Sequence, residues 1–315
     1  MRFVVALLLT IAACKERLPD SQGSSPSCDP TRPKVCVGDS VVQCVDGSIG
    51  KTLEQCKAGC RAGTCTDTCA VKGVELVYVV DSGHNLLSFD PQKLPGDPFR
   101  MIGTLKCEPS GQPFSMAVAS DGIAWVLYNT GRVYRVSILD AHCTKAGDPA
   151  DGTDTFGMGF ATDGTSETLY VAGNNSQELA ILDIAQGAPR WRPIATIAAD
   201  QHRSPELTGT ADGKLFGYFP EPVSGGFVQE IERSTGVAIG ARLTLGATSG
   251  EIEAYAFAHW GGVFYVFTTA DHTNTVHAIH RKSGKYEVVL PAHPFEVVGA
   301  GVSTCAPELE REPPL

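Results

Sequence analysis

The chain has 315 residues, 43% of them apolar, with 35 acidic against 25 basic side chains and a formal net charge of −10. That balance, with no Lys/Arg cluster, excludes nucleic acid from the expected partners. After the first 13 residues no apolar run reaches membrane-spanning length.

Residues 1–13 join Met1-Arg2 to the apolar run FVVALLLTIAA, which is too short to span a bilayer and has the make-up of a cleaved export signal. Ile11-Ala12-Ala13-Cys14 resembles the lipobox of bacterial lipoproteins. The resemblance implies cleavage before Cys14, lipid on that cysteine and attachment to a membrane through the lipid alone. The other reading is an ordinary signal cut after Ala13. Lys15 is not the Asp that resembles an inner-membrane retention signal, so the outer membrane is expected, on its periplasmic or cell-surface face. Residues 14–27, CKERLPDSQGSSPS, have the composition of a flexible tether. Setting Cys14 aside leaves an even ten of the 11 cysteines, which suits complete pairing.

Residues 28–69 hold Cys28, Cys36, Cys44, Cys56, Cys60, Cys65 and Cys69 with few large apolar side chains. Such a segment needs staples to fold. Disulfides are expected in an oxidising compartment, although Cys56-x3-Cys60 and Cys65-x3-Cys69 also fit metal-ligand spacing. The stretch CVGDSVVQCVDGSIGKTLEQC resembles small cysteine-rich modules that precede other domains in bacterial lipoproteins. Seven is odd, so one partner must lie outside the module. Cys69 precedes the first strand of the next domain and Cys305 follows its last, and we pair them, leaving Cys107 with Cys143. Spacing alone does not fix connectivity.

Residues 74–305 carry a repeat. LVYVV from Leu76, NLLSF from Asn85 and MIGTL from Met101 form a partial first copy. Four fuller copies open on small-residue strands, SMAVA from Ser115, GMGFA from Gly157, LTGTA from Leu207 and AYAFA from Ala254, each followed by a Gly turn. β-branched and aromatic second strands follow: IAWVLY, TLYVAG, KLFGYF and VFYVFT. Alternating third strands, RVYRVS, ELAILD, FVQEIE and TVHAIH, and fainter fourth strands complete each copy. The turn glycines Gly122, Gly164, Gly213 and Gly262 recur every 42 to 49 residues, the period of four-stranded propeller blades. Small first strands suit the crowded axis of a propeller, with bulkier second and third strands filling the space between blades. VVGAGV from Val297 supplies the strand the first copy lacks. The expected fold is therefore all-β, a five-bladed β-propeller whose N- and C-terminal strands share one blade, or a six-bladed one if two copies have been merged. Strands that end in an acid before a Gly turn, as in LAILDIAQG and FVQEIERSTG, resemble surface-layer and quinoprotein-type propeller repeats. Residues 306–315, APELEREPPL, have little to bury and are expected to be a disordered tail.

Propellers bind ligands on the face carrying the loops after their second strands, which here begin with Asp81, Asn129, Asn174, Glu221 and Asp271. Five converging oxygen ligands could hold calcium, or polar groups of a sugar. Turn chemistry explains the same residue types. Glu251 and Glu253 lead into the last first strand and Asp271-His272 follow its partner, so an acid and a base could face each other as in glycoside hydrolysis. The alternative for them is solvated loop charge. Gluconolactonase-like propellers place a Glu, an Asn and an Asp on a metal, but no motif around Asn174 or Asp271 matches theirs. His259-Trp260 marks either an exposed contact site or a Trp packed under its own turn. His277 and His280 sit three apart on one strand and point to opposite faces, against a shared zinc with His272. Serine-hydrolase, P-loop and zinc-protease motifs are absent from the sequence. The expected function is a monomeric, non-catalytic binding or scaffold lipoprotein of the cell envelope with a protein or carbohydrate ligand. The alternative is a hydrolase or lactonase working at the channel mouth.

Overall fold

In the computed structural model residues 69–308 are described, apart from 109, 150–154, 164–165, 175, 186–187, 198–204 and 223. Of residues 28–65 it describes 28, 30–31, 33–37, 40–55, 60–61 and 64–65. The export signal, Cys14, the tether, residues 309–315 and the side chains of Cys36, Cys56, Cys60 and Cys65 lie outside the described residues. The chain divides into two compact units, Met1–Cys56 with Cys60–Cys65 and Lys57–Gly59 with Thr66–Leu315.

The smaller unit holds strands β1 (Lys34–Val37), β2 (Ser40–Val45) and β3 (Ser48–Gln55) in one antiparallel sheet, and a two-stranded ladder of β4 (Cys60–Arg61) and β5 (Thr64–Cys65). Asp46 and Gly47 both take positive φ, 49° and 78°, as a tight hairpin between β2 and β3 requires. A disulfide joins Cys28 to Cys44. Val41, Val42 and Cys44 are buried, a small apolar yield that makes the cross-link a main source of order.

Among the described residues the larger unit has five four-stranded antiparallel sheets. The first combines β6 (Val77–Asp81), β7 (Asn85–Phe89) and β8 (Phe99–Thr104) with the last strand of the chain, β25 (Val297–Val302), in the order β25-β6-β7-β8. The second contains β9 (Pro113–Val118), β10 (Ile123–Tyr128), β11 (Val133–Ser137) and β12 (Cys143–Gly147). The third contains β13 (Phe156–Thr162), β14 (Glu167–Gly173), β15 (Glu178–Asp183) and β16 (Arg190–Thr196). The fourth contains β17 (Glu206–Gly209), β18 (Leu215–Phe219), β19 (Phe227–Ile231) and β20 (Ala238–Thr244). The fifth contains β21 (Ile252–Trp260), β22 (Val263–Ala270), β23 (Thr273–His280) and β24 (Tyr286–Leu290). The last four are meanders, the simplest way for consecutive strands to pair, whereas the first is a β6-β7-β8 meander completed by β25 from the other end of the chain.

Burial grades across each sheet. β22 is buried along its whole length, whereas β20 is largely exposed and β8 has no buried residue. The first strands neighbour one another in the order β25, β9, β13, β17, β21, and β21 lies against β25 again. Their approach is close enough to exclude side chains: a Cβ at Gly157 would collide with the Pro205 carbonyl, and one at Gly209 with the Phe160 carbonyl. That is the physical reason for Ala and Gly in these strands. Larger residues fill the gaps between sheets. Five apolar clusters each draw on two successive sheets, and one of them unites Val79, Leu87 and Ala300 of the first sheet with Ala258, Phe267 and Ala278 of the fifth.

Trp260 is 7% exposed and belongs to that cluster, with its Nε1–H donating to the Glu75 carbonyl at 2.8 Å. Disulfides join Cys69 to Cys305 and Cys107 to Cys143. Cys69 falls in the larger unit, so its bond links the segment before β6 to the segment after β25 inside one compact unit. The tail departs from the sequence expectation in its first three residues. Ala306 is buried, the Pro307 carbonyl accepts from the Gly261 N–H at 2.7 Å, and the Glu308 carboxylate is hydrogen-bonded to Ala211 and Arg281. Disorder was expected because composition shows only what a segment could bury, whereas these three residues are held by polar partners and by the disulfide beside them.

Candidate functional site

The five loop residues Asp81, Asn129, Asn174, Glu221 and Asp271 stand at or just after the ends of the second strands. Four use side-chain atoms close by: Asp81 and Glu221 within their own loops, Asn129 and Asn174 on the segment that leads into the first strand of the same sheet. Asp81 accepts from the N–H and the side-chain amide of Asn85, at 2.7 and 2.9 Å. The Asn129 side chain accepts from the Gln112 N–H, the Asn174 amide donates to the Thr155 hydroxyl, and Glu221 accepts from Ser224. Asp271 and His272 take positive φ, 48° and 58°, as turn residues. Among the described residues no group of three or more His, Cys, Asp or Glu side chains is placed to hold a metal ion.

One small cleft lies on this face, about 370 Å³, between the fifth and first sheets. Asp81, Glu253, His272 and Glu296 line it. Glu253 lies 3.4 Å from the His272 imidazole, which is 91% exposed, and Glu296 accepts from the Ser82 hydroxyl at 2.8 Å. The structure thus brings together Asp81 and Glu253 from the sequence reading and adds Glu296. Glu251 does not line the cleft. The three histidines of the fifth sheet separate: His272 faces Glu253, His280 pairs with Glu287, and the two ring nitrogens of His277 hydrogen-bond to Thr268 and Tyr286. Burial lowers the His277 pKa to about 4, so it is a neutral core imidazole.

A larger groove of about 990 Å³ lies between the fourth and fifth sheets. Phe216, Val228, Ile239 and Leu243 give it an apolar lining, and Lys214, Arg281 and Lys282 give it cations. Arg281 stacks over the Phe216 ring at 4.9 Å and donates to both Asp212 oxygens, at 2.9 and 3.4 Å. Burial opposes ionisation of Asp212, but hydrogen bonds from Arg281 and Thr210 outweigh it and hold the carboxyl below its ordinary range. Arg281 also donates to Glu308 at 3.2 Å. Desolvation leaves the Glu308 pKa raised, with the Ala211 N–H working against the rise.

Residues 303–308 run along the face opposite the second-strand loops. The Ser303 hydroxyl donates to the Val74 carbonyl, Thr304 donates to Glu167, which also accepts from Ser120, and Pro307 and Glu308 meet Gly261 and Ala211. One short strap therefore reaches residues of, or adjoining, the first, third, fourth and fifth sheets, and Glu167 links it to Ser120 beside the second. Between the first strands, the Glu206 carboxyl is 4% exposed and accepts from the Ser115 hydroxyl at 2.8 Å. Burial raises its pKa to about 8, opposed by bonds from Ser115 and the Met158 N–H. The sequence reading passed over Glu206 and Glu308. An acid at the start of a small-residue strand is a visible signal for the first, and nothing local marks the second.

No family model and no curated protein matches this chain. Among solved structures it is similar to a protein of unknown function from Bacteroides thetaiotaomicron, with 13% identity, a TM-score of 0.45 and coverage of 84% of this chain and 73% of the other. It is also similar to the extracellular domain of a hybrid two-component system from the same organism, with 11% identity, a TM-score of 0.37 and coverage of 70% of this chain but 28% of that one.

Proposed function

We propose that the chain is an exported, lipid-anchored envelope protein in which five sheets close into a five-bladed β-propeller that binds a partner without catalysing a reaction. Closure is supported by the return of β21 to β25 and by the seating of β25 beside β6 in the first sheet. Export is supported by the disulfides and by the apolar start of the chain. The lipid anchor on Cys14 rests on the lipobox resemblance. Replacing Cys14 with Ala is expected to release the protein from membranes, and unchanged membrane partition would remove the anchor.

The observation that carries the binding reading is a contrast between the two ends of the strands. Polar side chains at the loop face are spent on neighbouring segments of their own sheets, whereas the groove between the fourth and fifth sheets joins apolar lining to placed charges, the make-up of a binding site. Glu253, Glu296 and Asp81 in the smaller cleft favour the second reading, a carboxylate hydrolase or lactonase. Lactone and glycoside turnover by residues 15–315, with and without calcium, separates the two. The binding reading expects no turnover and no calcium-dependent rise in melting temperature; turnover abolished by Glu253→Gln would replace it with the hydrolase.

A further inference from the structure

We propose that the groove between the fourth and fifth sheets is a docking site for an acidic, leucine-bearing peptide segment of a partner protein, and that Glu308 fills its carboxylate seat in the free protein. This rests on the binding-protein reading and names the chemistry of the partner.

The seat has two donors, the Arg281 guanidinium and the Ala211 N–H, and both converge on the Glu308 carboxylate. Arg281 is held in place before any ligand arrives, by Asp212 on one side and the Phe216 ring beneath it. A planar guanidinium so fixed is a preorganised carboxylate receptor. Glu308 comes from the strap, not from either wall of the groove. Exchanging it for a partner's carboxylate conserves charge and hydrogen bonds, so the exchange has little electrostatic cost.

Beyond the seat the groove offers apolar area that Glu308 does not use. That area comes from β20, the outermost strand of the fourth sheet, where Ile239 is 38% exposed and Leu243 half-buried, over a buried floor of Phe216 and Val228. An aliphatic side chain next to the docked acid would cover that surface, at roughly 25 cal/mol per Å² removed from water. Charge favours the same partner. With Glu308 displaced, the lining carries Lys214, Arg281 and Lys282 against Asp212 and Glu230, a formal +1 in which Lys214 pairs with Glu230 and Arg281 with Asp212, so that Arg281 is left one carboxylate short and Lys282 adds charge beside it.

The test uses the soluble form, residues 15–315, and a fluorescein-labelled peptide alternating Glu and Leu, read by anisotropy. Saturable binding is expected, lost when Gln replaces Glu in the peptide, tightened at least about fivefold by Glu308→Ala and abolished by Ile239→Glu, an exposed site whose variant is checked by its melting curve. Equal binding of the Gln peptide, or an affinity unmoved by Glu308→Ala, overturns the proposal. So does a chain ended at Glu308 that gains the affinity Glu308→Ala was meant to give, since the chain's own last seven residues would then be the competitor. If no form binds the peptide, the acidic partner is wrong while the binding reading stands, because that reading falls to turnover.

Discussion

The Ser115 hydroxyl donates to the Glu206 carboxyl at 2.8 Å across 91 residues of sequence, joining the first strands of the second and fourth sheets where neither side chain meets solvent. A carboxyl so placed keeps its proton at neutral pH, and ionising it would strand a charge between the sheets.

A pH dependence follows from the sign of that shift. Glu206 is raised to about 8 when folded, against an unfolded value of 4.5, so its contribution to stability is complete below about pH 4.5 and is lost as pH rises through 8. His259, His277 and His293 act the other way. Burial lowers each to about 4, so stability falls as pH drops below about 6.5 toward 4. Between about pH 7 and 9 the imidazoles are neutral in both states and Glu206 is isolated from them. Thermal melts in that window should show the wild-type midpoint falling with pH, and Glu206→Gln, which keeps an amide in the same space, should flatten the fall. An identical slope in both proteins would place the titrating group elsewhere.

The strap depends on Cys69–Cys305, which closes 236 residues of chain. Changing both cysteines to serine should lower stability by about 2–5 kcal/mol in denaturant unfolding. It should also expose residues 303–308 to proteolysis while leaving Cys107–Cys143 intact, as nonreduced peptide mapping would record.

Two glycines separate crowding from backbone strain. Gly209→Ala drives a methyl into the Phe160 carbonyl of the neighbouring first strand and should cost about 3 kcal/mol or more. Gly240→Ala meets nothing within 4 Å, and its φ of 72° costs only about 1 kcal/mol. Similar losses at both positions would argue against the close approach of β13 and β17.

The strands were legible because each is coded locally. NLLSF, IAWVLY, ELAILD and VVGAGV run over the residues of β7, β10, β15 and β25, since alternation and β-branched content are properties of five or six neighbouring residues. Sites were less legible, because a site is a meeting of distant residues. Asp81 and Glu253 were named for their loop positions and do line one cleft, but Glu296 reaches it from a segment with no strand signature. Asn129 and Asn174 share the same loop pattern but tie their loops to the segments before β9 and β13, through Gln112 and Thr155, a difference that composition cannot express. The Arg281 seat was invisible for a related reason: its ligand lies on a stretch whose composition reads as a free tail.

β25 sits in the first sheet as a full member, and that pairing brings the two ends of the repeat together and fixes the strap. Hydrogen exchange on the oxidised protein tests this most directly through the alternate amides of Val297–Val302 that face β6 in the β25–β6 register. The account predicts protection equal to that of β22, in the slowest class of the protein. Exchange of the β25 amides at the rate of a fraying terminus, with β22 still protected, would contradict it.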